Sequence, residues 1–117
     1  MLIRTRSLDE GVAVLDLSGR LDVESAMALR EAVSETLEMD RRHLVLNLIG
    51  LSNVDAAGLG ELAYALKKVR AAGGDLRLVV QSPIVRELLA RTQLLDLFTI
   101  FPSEAPAIAS LEMTASR

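Results

Sequence analysis

Strand-like and helix-like patterns alternate along this chain, and together they point to one α/β domain: a mixed central β-sheet with about four helices packed against it. Three observations carry that reading. His43 to Leu48 hold too many consecutive apolar side chains for a half-solvated strand and suit the centre of a sheet. Leu59, Leu62, Leu66 and Val69 follow at helical spacing. Gly73-Gly74 and Ser82-Pro83 then place a helix stop and a helix start on either side of a further apolar run.

Taken in order, Leu2 to Arg6 reads as a strand that pairs with residues 12–18 through a turn at Asp9-Glu10-Gly11. From Val23 to Glu38, Ala26, Leu29, Val33 and Leu37 recur at helical spacing, with Arg30, Glu31 and Glu35 on the other side. The strand at 43–48 comes next, then a helix from Ala57 to Ala72 whose Glu61, Lys67 and Lys68 fall off the leucine stripe. Residues 76–80 form another strand. Ser82 caps a helix that has Pro83 in its first position and runs to about Arg91. Thr99-Ile100-Phe101 is a short strand, and Ser103 is placed to cap a last helix reaching Met113. Thr114 to Arg117 have nothing to pack against and are expected to fray, which leaves a core of about 2–113 in a single domain spanning 1–117.

Composition narrows the function. Half of the 117 residues are apolar and 25% are charged, the profile of an ordinary globular chain. A chain of this size buries about two thirds of its unfolded surface, enough to fold without a metal or disulfide staple. With no cysteine, disulfides and thiolate metal sites are excluded. The net charge of −3 argues against a nucleic-acid binder, which needs a basic face. The few aromatics, Tyr64, Phe98 and Phe101, give no platform for stacking bases. No apolar run approaches a membrane span and the N-terminus has no apolar signal core, so membrane insertion is not expected and the cytoplasm is the expected location.

Asp55-Ala56-Ala57-Gly58-Leu59-Gly60, between the buried-looking strand and the leucine-striped helix, is the most telling stretch. It resembles the loop of anti-sigma-factor antagonists of the STAS family, which usually reads Asp-Ser-Ser-Gly-Leu-Gly and is phosphorylated on the second serine. Leu15-Asp16-Leu17-Ser18-Gly19-Arg20-Leu21-Asp22 looks like that family's second strand and following turn. The stretch from Leu46 to Asp55 looks like its central strand and switch loop. Gly73-Gly74-Asp75 with Leu76 to Val80, and Leu94-Leu95-Asp96-Leu97-Phe98, match later segments in order and spacing. The resemblance covers roughly residues 8–112 and implies a STAS-like domain.

It also implies a role. Such antagonists dock on an anti-sigma factor that is itself a serine kinase; docking frees the sigma factor for transcription, and phosphorylation reverses it. By resemblance the partner-docking surface includes Asp22, Asp55, Ala56, Ala57 and Gly58, with Ala57 at the phosphoacceptor position. Alanine offers no oxygen to phosphorylate, so a non-phosphorylatable binding module is implied, with no cofactor. The alternative is a non-switching scaffold subunit of a larger signalling assembly or of a lipid-transport ATPase complex. A homodimer stays open.

The same residues have plainer roles. Asp55 is placed to cap the helix after it. Asp22 is placed to cap a helix starting at Val23, with Ser25 just inside. If their loops meet, the two aspartates make a paired-carboxylate site able to do acid–base work or hold a cation. Gly58 and Gly60 in a first helical turn cost about 1 kcal/mol each against alanine, which points to close approach by a neighbouring element or by a partner. Ser52 and Ser25 are the nearest hydroxyls to the loop, read either as a substitute phosphoacceptor or as loop-stabilising groups. His43 reads as structural or surface. Gly58-Leu59-Gly60 lacks the spacing and the lysine of a phosphate-binding loop, and with no nucleophile elbow an enzyme is not expected. Phe98 and Phe101 are expected beneath the last helix, and Tyr64 at the surface.

Overall fold

The computed structural model describes residues 1–8 and 11–115. Nine elements follow in order: β1 (Leu2–Ser7), β2 (Val12–Leu21), α1 (Ala26–Glu38), β3 (His43–Val54), α2 (Ala56–Ala71), β4 (Asp75–Val79), α3 (Pro83–Arg91), β5 (Thr99–Phe101) and α4 (Glu104–Ala115). The strands lie side by side in chain order, β1-β2-β3-β4-β5. β1 runs antiparallel to β2, and the other neighbours are parallel. This is the mixed sheet with four helices that the sequence pattern predicts. The expected turn between the first two strands includes Asp9 and Glu10, which lie outside the described residues, as do residues 116–117 of the expected frayed end; α4 itself continues to Ala115.

Side-chain alternation splits the core into two layers. Ala13, Leu15 and Leu17 of β2 and Leu44, Leu46 and Leu48 of β3 belong to the larger cluster, with Leu29 and Val33 of α1, the whole Leu59-Leu62-Leu66-Val69 stripe of α2, and Val85 and Leu89 of α3. Val12, Val14, Val45 and Val79 point the other way and meet Ala107 and Leu111 of α4. Central strands covered on both faces must be apolar at nearly every position, which is why 43–48 carries no alternation. Phe101 packs in the α4 layer as expected, but Phe98 joins the larger cluster on the opposite face.

Local chemistry ends the elements where the sequence predicts. The Gly73 amide donates to Arg70 O and the Gly74 amide to Val69 O, while Gly73 sits at φ +87°, closing α2 with a left-handed glycine. Ser82 Oγ accepts from the Val85 amide at the start of α3. Strand ends differ. β2 continues to Leu21 and β3 to Val54, well past 18 and 48. On β3, β4 pairs only with His43–Asn47, so the further residues of that strand have ladder partners in β2 alone, through a register with two irregularities. That two-strand extension carries the loops of interest.

Candidate functional site

The two loops named from the sequence meet at the far end of this extension. Leu21 and Val54 are the last partners of the β2–β3 ladder, and Asp22 and Asp55 are the next residue of each strand. The Asp55 amide donates to Leu21 O at 3.2 Å, tying the loops through the backbone.

Asp55 does what its position predicts. It is the extended N-cap of α2, and its Oδ1 accepts from the Gly58 amide at 2.9 Å. Asp55→Ala is expected to lose about 0.5–2 kcal/mol in denaturant melts. No loss would show that the cap contributes nothing to stability.

Asp22 corrects its expectation in part. The helix begins at Ala26, not Val23. Asp22 Oδ1 accepts from the amides of Glu24 and Ser25, each at 3.1 Å, and Ser25 Oγ in return accepts from the Asp22 amide at 2.9 Å. Residues 22–25 therefore close into a reciprocally bonded turn that delays the helix by one turn. The Ser25 amide, then the Ser25 hydroxyl, the Glu24 amide and Arg20, hold the Asp22 carboxyl below its ordinary pKa, against some desolvation.

Each carboxylate is thus committed to its own helix start. The loops meet, but no hydrogen bond between the two carboxyl groups accompanies the meeting, and among the described residues no cluster of three or more His, Cys, Asp or Glu is arranged to hold a metal. Beside Asp22 lies a surface depression of about 710 Å³, and Arg20 is the only lysine or arginine in its described lining. Arg20 Nε lies 3.7 Å from Asp22 Oδ2, so the guanidinium in this lining already faces a carboxylate.

The loop residues divide by exposure. Asp55, Ala56, Ala57 and Gly60 are exposed, and Gly58 is buried. A Cβ at Gly58 would stand 2.4 Å from Leu21 O, so this glycine is required by close packing of α2 on the end of β2. A Cβ at Gly60 would meet nothing within 4 Å. The two alternatives left open by the sequence therefore separate: a neighbouring element explains Gly58 and does not explain Gly60. Ser52 lies in β3, where its hydroxyl donates to Gly19 O at 3.1 Å and braces the extension. His43 is half-buried, and burial first, then Arg42, hold its pKa below the ordinary value.

One feature escaped the sequence reading. Glu61, assigned to the outer side of α2, is buried and forms a two-pronged ion pair with Arg30 of α1, at 2.9 and 3.0 Å. The Arg30 guanidinium also lies 4.2 Å from the ring centroid of Tyr64, which is partly exposed as expected. Gly58 and Ala65, three and four residues from Glu61 and both buried, place it on the flank of the inner face. That spacing was the available signal.

The STAS domain model matches residues 6–107. The chain belongs to the STAS domain family. Among relatives of this STAS domain is the anti-sigma F factor antagonist of Paenibacillus polymyxa, 29% identical over 106 residues that cover 90% of this chain and 91% of the other. The crystal structure of an anti-sigma factor antagonist from Mycobacterium paratuberculosis shares the STAS fold at a TM-score of 0.84 and 24% identity, over 94% of this chain and 92% of that one. A sulfate transporter family protein from Wolinella succinogenes shares it at a TM-score of 0.82 and 17% identity, over 96% and 93%. No helix among the described residues is long and apolar enough to cross a membrane.

Proposed function

We propose that this STAS domain is an anti-sigma-factor antagonist: a cytoplasmic, non-enzymatic binding module that regulates transcription by docking on an anti-sigma factor of the serine-kinase type. Similarity to a named antagonist along nine-tenths of both chains carries the reading. The docking surface is built from Asp22, Asp55, Ala56 and Ala57, with Gly58 buried beneath it as the close contact that seats the loop on β2. It suits the task because the two loops are tied by a backbone bond and held by the Asp55 cap and the Asp22–Ser25 turn, and so are preorganised for contact. Ala57, at the phosphoacceptor position, has no hydroxyl, and the nearby Ser52 hydroxyl is engaged with Gly19. The module therefore binds without being released by phosphorylation of this loop.

The test is binding of wild type, Ala57→Asp and Ala57→Ser to the anti-sigma factor of the same organism, with and without ATP. Ala57→Asp is expected to weaken binding by about tenfold or more, because it places an unpaired charge in a close contact. Ala57→Ser is expected to keep its affinity and to become sensitive to ATP. Equal affinities for all three would place the interface elsewhere. Loss of wild-type binding on adding ATP, with phosphate on Ser52 or Ser25, would overturn the reading of the alanines.

A scaffold role in a larger assembly is the second reading, because a fold shared with a sulfate transporter family protein does not by itself single out an antagonist. Absence of binding to every anti-sigma factor of the organism would select it.

A further inference from the structure

The outer sides of α1 and α2 carry opposite charge. The two helices follow parallel neighbouring strands and pack on the same sheet face, so they run side by side in the same direction. α1 turns Leu29 and Val33 to the core and Arg30 to α2, which leaves Glu31, Glu35 and Glu38 exposed. α2 buries Leu62, Leu66 and Val69 and leaves Lys67 and Lys68 exposed. These are the only lysines in the chain.

Neither set is neutralised within the molecule. The neighbouring arginines are engaged, Arg30 with Glu61 and Arg70 with Asp75. Among the described residues, none of these glutamates and lysines has an ion-pair partner. The glutamates are also unfavourably placed along their own helix. Glu35 and Glu38 lie in the last turn of α1, which has no basic residue, so their charge stands at the negative end of the helix dipole. A cation brought from outside the chain would relieve both conditions.

Position decides what supplies that cation. Arg30 meets Glu61, so positions 31 residues apart stand at one level of the two helices. Leu37 is then level with Lys68, and it does share a shallow groove with Tyr64, Lys68 and Ala71. Glu35 and Glu38 lie on either side of that level, at the height of the lysines but on the neighbouring helix. A two-fold axis laid along the seam, over the outer surface, keeps heights and exchanges helices, so that α1 of one copy lies over α2 of the other. Each copy then offers its glutamates to the other's lysines, and the contact is made twice. An axis across the helices would set α1 on α1 and α2 on α2, like charge on like. Tyr64, 39% exposed beside the seam, lies next to the favoured axis.

We infer that two copies of this chain associate face to face through the outer sides of α1 and α2, about a two-fold axis along the seam, with Glu35 and Glu38 of each copy against Lys67 and Lys68 of the other. The association is independent of the docking role proposed above and needs no other protein. It makes access to these helix faces depend on protein concentration and salt, a form of control that requires no hydroxyl at position 57.

Sedimentation of the purified chain from micromolar to millimolar concentration is expected to show a monomer–dimer equilibrium that moves toward monomer as salt rises. Lys67→Glu combined with Lys68→Glu is expected to weaken self-association by about tenfold or more, and Glu35→Lys combined with Glu38→Lys by a similar factor, because each sets like charges face to face. All four positions are exposed, and melting temperatures check that both variants are folded. Mixed in equal amounts, the two variants are expected to form a heterodimer at least as tight as the wild-type dimer, since each then meets its opposite. A carbodiimide, which joins a carboxylate directly to an amine, is expected to link Lys67 or Lys68 of an ordinary chain to Glu35 or Glu38 of an isotope-labelled one. A wild type that stays monomeric at every concentration would overturn the inference. So would a dimer that both charge reversals leave intact, a mixture of the folded variants that stays monomeric, or links from these lysines to carboxylates outside α1.

Discussion

Leu66→Ala is expected to lower the unfolding free energy by about 2–5 kcal/mol. Leu66 is 4% exposed and lies in the middle of α2, among the leucines of the larger cluster. Truncation there removes three carbons from a packed interior, and the cavity is closed on one side by the sheet and on the other by the helix that owns it. Collapse requires α2 to move, and α2 is held by the Asp55 cap, the glycine stop and the Arg30–Glu61 pair. Chemical denaturation checks the value. A loss below about 0.5 kcal/mol, the range of surface substitutions, would mean that the stripe is not core.

Gly58→Ala is expected to destabilise the fold by about 1–3 kcal/mol, even though alanine is the better helix former by about 1 kcal/mol. The added Cβ would lie 2.4 Å from Leu21 O and 2.8 Å from Leu21 Cγ. The carbonyl is not free to yield, since it accepts the Asp55 amide that joins the two loops. Relief must come from shifting the start of α2, which also pulls the Gly58 amide from the Asp55 cap. Gly58→Ala and Asp55→Ala should therefore be less than additive when combined. Full additivity in the double variant would mean that the helix start absorbs the methyl without moving. The contrast with Gly60 is the sharper check, because the same substitution two residues on is expected to stabilise.

The architecture was readable because its signals are local and redundant. The alternation of strand and helix, the leucine stripe, the Ser82-Pro83 start and the Gly73-Gly74 stop each state a backbone requirement within a few residues. The Asp55 cap was legible for the same reason. What escaped depends on partners distant in sequence. Glu61 reads as a solvent-facing charge until Arg30, 31 residues away, is brought beside it. The ends of β2 and β3 were drawn too short because Gly19-Arg20 and the polar Ser52 and Asn53 look like loop, whereas the ladder between two parallel strands satisfies their backbone whatever their side chains. The start of α1 moved by one turn because a side-chain bonded turn at Asp22 competes with helix at the same residues. The opposite face chosen by Phe98 follows from the path of the chain after α3, which no periodicity encodes.

Arg6 of β1 is ion-paired with both Asp16 of β2 and Glu104 of α4, joining the first strand to the last helix. The sheet grows in chain order, so its strands can assemble as they emerge during synthesis. The helix that covers Val12, Val14, Val45 and Val79 comes last. Until α4 has left the ribosome, the nascent domain shows a bare valine face, and Arg6 waits for its second carboxylate. A chain stalled just before Glu104 would display that face, and it is the form that chaperones and proteases are built to find.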